Sequence, residues 1–147
     1  MSVAEMSFQE KITWLYTAVA VCTYGTYLAI ILTRAQSTPL TEVAYVRPLL
    51  WTIGACLAAM IVGCIAIALA SPKDRAKTDQ RDREIERFGT YVGQSFAGIF
   101  AVVALVLSIT EADYFWIANA IWLGCVLSGL LGSVVKLVAY RRDFRSW

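Results

Sequence analysis

Histidine is absent from the 147 residues, which removes imidazole bases, His-ligated haem or zinc and His-based pH switching. Cys22, Cys56, Cys64 and Cys125 all fall within apolar runs and form no CxxC, the spacing a thiol relay needs. Cys56 and Cys64 share a helical face but stand eight positions apart, about 12 Å at 1.5 Å per residue, too far for one metal. The apolar runs hold no paired carboxylates, Gly-rich phosphate loop or Ser/Lys nucleophile pair. The chain therefore reads as non-enzymatic, with no catalytic residue, metal or cofactor expected.

Polar residues inside the apolar runs are the remaining handles. At 100° per residue Gln94 shares a face with Ala97, Gly98, Ala101 and, further along, Ser108. This predicts a side chain turned to the packed interior, forming an interhelical hydrogen bond of ~0.6 kcal/mol or contacting a ligand. Asn119 lies opposite the row Gly124, Ser128 and Gly132, near a membrane interface, and is expected to bond a neighbour or water.

The elements that must position these groups are set by composition. Hydrophobic residues make up 59% of the chain and charged ones 16%, with a mean hydropathy of +0.61. A soluble domain runs nearer 45–50% apolar and about 25% charged. A bilayer core ~30 Å thick needs ~20 apolar residues of helix, and four runs reach that length: 12–33, 48–70, 89–109 and 114–136. Lys136, at the last edge, can snorkel to the interface. No polar stripe of 3.6-residue period marks a soluble bundle. Trp14, Tyr16, Tyr45, Trp51, Tyr114, Trp116 and Tyr140 sit near run ends, where amphipathic rings anchor. The first run is too long for a signal-peptide core and follows Glu5 and Glu10, so it reads as a retained span. The expected fold is a single all-α domain over 1–147, four transmembrane helices in an antiparallel bundle.

Eleven of the 13 Lys and Arg residues lie before the first run, between the second and third, or at the end of the fourth; only Arg34 and Arg47 lie opposite. The positive-inside rule then places both termini and the loop 71–88 in the cytoplasm, in a multi-pass protein of the cell membrane. In the outer loop, Thr38 can cap a short helix with Pro39 at its first position and Glu42 near its positive end. The link Thr110–Asp113 is short enough to make the third and fourth helices antiparallel neighbours. Loop 71–88 carries six basic and five acidic residues, a mixed-charge surface rather than a nucleic-acid patch, so no direct nucleic-acid binding is expected. Residues 78–88 read as a cytoplasmic helical extension before the third span. Its charges Asp79, Arg83, Glu84 and Arg87 form a candidate surface for a cytosolic regulatory protein.

Small residues recur every fourth position: Ala55, Ala59 and Gly63; Gly89, Gly93, Ala97 and Ala101; Gly124, Ser128 and Gly132. Lipid supplies no hydrophobic drive between helices, so such rows bring backbones close enough for dispersion. A second row on the fourth helix, Cys125, Gly129 and Ser133, predicts that one row packs within the chain. The other would meet a second copy, in a homodimer, or another membrane subunit.

The stretches RDREIERFGTYVGQSF (81–96) and FWIANAIWL (115–123) resemble the small uncharacterised four-span membrane proteins common in actinobacteria. Some of those are encoded beside helix-turn-helix regulators, which implies a regulatory partner and carries over no catalytic residue. The features also exclude other four-span classes. There is no glutamate in the first run for a small multidrug transporter, no histidine for a cytochrome b, and no outer-loop cysteine for a tetraspanin or claudin. The leading expectation is an accessory or regulatory membrane subunit acting through helix packing and its charged helix. A small transporter or ligand-binding bundle is the alternative. A polar cavity would favour the second, and a dry core with an exposed small-residue face the first.

Overall fold

The computed structural model describes residues 8–70 and 80–141. Four helices account for nearly all of them: α1 (Phe8–Arg34), α2 (Val46–Ala70), α3 (Gln80–Ile109) and α4 (Tyr114–Arg141), with one 3-10 turn at Leu40–Glu42. No strand occurs among the described residues. Each helix is long and apolar enough to cross a membrane, which marks a multi-pass membrane protein. The helices outrun the apolar runs at their charged ends. α3 is already helical at Gln80, nine residues before Gly89, and α4 continues to Arg141. Those end turns are built from Arg, Glu, Gln and Leu, good helix formers that need no lipid around them.

Local chemistry explains the connections. The 3-10 turn begins at Leu40 with Pro39 in the flanking position, and no side chain caps it. The expected Thr38 cap is therefore not formed; the Pro39 carbonyl instead accepts from the Glu42 N–H at 2.9 Å. α2 starts at Val46, two residues before Pro48, and a proline within the first turn removes an N–H that has no intrahelical acceptor. Arg34 Nη1 donates to the Ala44 carbonyl at 2.7 Å and ties the loop across its own width. The α3–α4 link is a Schellman turn: Ala112 N–H donates to Leu107 O at 2.9 Å and Glu111 N–H to Ser108 O at 3.2 Å. Glu111 adopts φ 55°, the left-handed region that glycine favours at this position. Glu111→Gly should therefore raise stability by about 1 kcal/mol and Glu111→Val lower it by a similar amount, read as opposite shifts in the thermal midpoint in detergent.

α4 is the central element. It packs against α3 on one side and α1 on the other; α1 packs against α2, and α2 and α3 make at most a marginal contact. The helix order is thus α2, α1, α4, α3, open between its two outer members. The most apolar stretch of α2 contributes no buried residue. Along the α3–α4 seam, glycines meet backbone. A Cβ on Gly93 would lie 2.6 Å from the Ser128 carbonyl oxygen, and one on Gly132 2.9 Å from that of Gly89. Gly124 lies instead against the Phe100 side chain. The pairs run in opposite chain order, so α3 and α4 are antiparallel over this seam.

Part of the second row of α4 is also occupied within the chain, while Cys125 is exposed. Gly129 lies against the Tyr16 ring and hydroxyl of α1, and Ser133 is buried. Gly129 and Ser133 thus face α1 of the same chain, and of this row Cys125 is left on the surface. On α2, Gly63 accommodates Leu15 of α1, whereas Ala55 and Ala59 are exposed. The packing stripe of α2 runs through Pro48, Thr52, Cys56 and Met60 instead, about 100° from the alanine row.

One end of the assembly, where α3 turns into α4, is closed by aromatic packing. Tyr27, Ile31, Val43 and Phe115 form a buried cluster, flanked by Tyr24, Tyr45, Leu49 and Trp122. Tyr45 and Phe115 meet edge to face at 5.2 Å. The opposite end, where α1 and α3 begin and α4 ends, is polar and open.

Candidate functional site

At the polar end, α1, α3 and α4 line a half-open cavity of about 330 Å³, to which α2 contributes only Met60. Its walls follow from the seam already described. One turn beyond Gly89 and Gly132, the glycines give way to Glu86 and Lys136, and the Lys136 ammonium meets Glu86 Oε1 at 2.6 Å. Lys136 keeps 15% of its side chain accessible and Glu86 40%, so the pair is only partly exposed to solvent. Thr90 Oγ1 donates to the same carboxylate oxygen over 3.5 Å, a long contact. Gln9, Thr13 and Tyr16 of α1 complete the polar lining, with Gln94 of α3 and Ser128 and Ser133 of α4.

Most polar groups of these helices are satisfied and carry no binding capacity. Thr13, Thr17, Thr23, Thr26 and Thr33 each donate to a carbonyl four residues back, at 2.6–2.9 Å. The cavity differs. Ser133, 5% exposed, lines it together with Ser128 and the exposed Gln94. Such convergent polar groups in a mostly apolar bundle are what water or a ligand can meet. Outside the cavity, the Arg141 guanidinium stacks 6.0 Å from the Trp14 ring and fixes the end of α4 against α1.

The residues singled out from sequence separate into three places. Gln94 lines the cavity but is exposed rather than turned to a packed interface, because α2 does not cover that flank of α3. Ser108 is exposed near the far end of the same helix, roughly 21 Å away at 1.5 Å per residue, and does not join Gln94 in one site. Asn119 belongs to the closed end: Tyr27 donates to its Oδ1 at 2.6 Å, and its Nδ2 donates to the Phe115 carbonyl at 2.8 Å. That arrangement clamps α1 to α4 and places Asn119 at the aromatic end, away from the polar cavity. Gly93, Gly124, Ser128 and Gly132 lie on the α3–α4 seam. Ala97 and Ala101 line a second, apolar cavity of about 290 Å³ with Phe100, Ala104, Ile121, Gly124 and Cys125. Arg83, Glu84 and Arg87 border a shallow surface depression on the first turns of α3; Asp79 lies outside the described residues.

Sequence reasoning passed over the pair that defines the site. Lys136 reads alone as a snorkelling residue, and Glu86 as one of many balanced charges. The signal lay in register: an antiparallel seam that sets Gly89 opposite Gly132 brings the next turns, Glu86 and Lys136, together. Among the described residues, no group of three or more His, Cys, Asp or Glu can hold a metal, and all four cysteines are free. No family model, curated protein or solved structure matches the chain.

Proposed function

We propose that the chain is a non-enzymatic, multi-pass protein of the cell membrane that binds a small molecule in the cavity between α1, α3 and α4. The observation that carries this reading is the convergence of Ser128, Ser133 and Gln94 on one cavity that the Lys136–Glu86 pair borders. A mostly apolar bundle with a few convergent polar groups is how membrane and soluble proteins alike build ligand sites, and about 330 Å³ falls at the small end of such pockets. Chain purified in mild detergent should retain a small molecule, identified by mass spectrometry of its organic extract. Ser133→Leu, which fills the cavity, and Gln94→Leu, at an exposed position, should both lose it. Wild-type protein that carries nothing, or variants that retain as much as wild type, would refute the reading.

The orientation that accompanies this proposal is an antiparallel bundle with both termini and the 71–88 loop in the cytoplasm, from the distribution of Lys and Arg. In a background without native cysteines, a single cysteine at Gln36 or Thr41 should react with an impermeant maleimide on intact cells. One at Arg83 should react only after permeabilisation. Labelling of Arg83 from outside would invert the topology.

A second reading, an accessory or regulatory subunit with a homodimeric, membrane-subunit or cytosolic partner, draws support from a different place. Ala55 and Ala59 form a small-residue row that is exposed on α2. On that reading the membrane contact belongs to α2, and a cysteine at Ala59 should cross-link to a partner where one at Ser128 does not.

A further inference from the structure

We infer that the ligand is a zwitterionic, single-chain phospholipid, with its headgroup in the polar cavity and its acyl chain along the α3–α4 flank. This rests on the ligand-binding reading above and names the class of ligand. Continuity along the bundle is the first observation. On α3, Thr90 and Gln94 line the polar cavity, and Ala97 and Ala101 continue the same stripe into the apolar one. On α4, Ser133 and Gly129 do the same, followed by Cys125 and Ile121. Both cavities therefore lie on one flank of the seam. From Thr90 to Ala104 that flank runs about 21 Å, more than half of a ~30 Å hydrocarbon core and enough for the chain of a lipid from one leaflet. Its walls change from polar to apolar in the direction a lipid does.

Access is the second observation. α2 and α3 are not packed together, a Cβ on Gly98 would meet nothing within 4 Å, and Gln94 and Ala101 are exposed. The flank thus opens sideways, toward the bilayer, where an amphiphile is concentrated. Charge is the third. The one cation and one anion lining the cavity, Lys136 and Glu86, already neutralise each other. A ligand of net charge would enter a partly desolvated site with no uncompensated counter-charge. A zwitterion presents phosphate to the Lys136 ammonium and its own ammonium to the Glu86 carboxylate. Ser128, Ser133 and Gln94 then supply donors for the remaining phosphate and glycerol oxygens.

The test is equilibrium binding by native mass spectrometry to the purified chain, with three probes: palmitoyl-lysophosphatidylethanolamine, palmitoyl-lysophosphatidylglycerol and soluble glycerophosphoethanolamine. The zwitterionic lysolipid should bind at least about tenfold more tightly than either of the others, the scale of one lost charge-assisted contact. Ser133→Ala should weaken it about tenfold through the headgroup, and Ala101→Trp by a similar factor through the chain, at an exposed position that leaves folding intact. Equal binding of the lysophosphatidylglycerol overturns the zwitterion assignment. Glycerophosphoethanolamine binding as tightly as the lysolipid overturns the lipid assignment and leaves the small-molecule reading standing. Failure of all three probes, with no molecule retained from the membrane, overturns both.

Discussion

Gly93→Leu is expected to separate α3 from α4 and lower stability by about 3 kcal/mol or more, a large part of the 5–15 kcal/mol of a typical fold. Even a Cβ at this position would stand 2.6 Å from the Ser128 carbonyl oxygen, and backbone cannot rotate away as a side-chain tip can. The helices must part, and every dispersion contact along the glycine seam weakens together. Gly132→Leu should behave alike, because its Cβ meets the Gly89 carbonyl oxygen at 2.9 Å. The control is Gly98→Leu on the same helix, where a Cβ meets nothing within 4 Å and little change is expected. Thermal or SDS-induced unfolding in mixed micelles measures all three. A Gly93→Leu protein that unfolds with the Gly98→Leu midpoint would show that the seam contributes nothing to stability.

Part of this arrangement was legible before any coordinates. The four spans follow from length and hydropathy, since nothing but a helix satisfies every backbone group over ~20 residues in lipid. Gly93, Gly124, Ser128 and Gly132 announced close packing because a small residue every fourth position makes a continuous groove. Which helix fills that groove was not legible. Ala55–Ala59 has the same spacing as Ser128–Gly132, yet the first is exposed and the second packs against α3. Spacing describes one helix, whereas contact depends on how four are rotated against each other, and α2 is rotated so that Cys56 and Met60, not the alanines, approach α1. Gln94 illustrates the same limit. Its face was expected to turn to a packed interior, but Gln94 is exposed because α2 stands away from α3.

Lys136 and Glu86 give the other large expected effect, and it is asymmetric. Glu86→Leu removes the counter-charge from an ammonium that is only 15% accessible, leaving a partly desolvated cation unpaired. Such a loss costs about 3–5 kcal/mol in a fully buried pair; here partial exposure should reduce it to about 2 kcal/mol. Lys136→Leu leaves behind a carboxylate that is 40% accessible and can turn toward water, so about 1 kcal/mol is expected. The double variant Glu86→Leu/Lys136→Leu removes both charges and both desolvation penalties, and should be more stable than the Glu86 single variant. Unfolding midpoints of the four proteins complete the cycle. The same double variant should lose the retained small molecule, because polar groups beside an apolar pair no longer offer a charged ligand head its counter-charges. A pair kept only to join α3 to α4 would show the stability pattern without that loss. A cavity built around the pair shows both, and the comparison separates a structural clasp from a binding site within one set of variants.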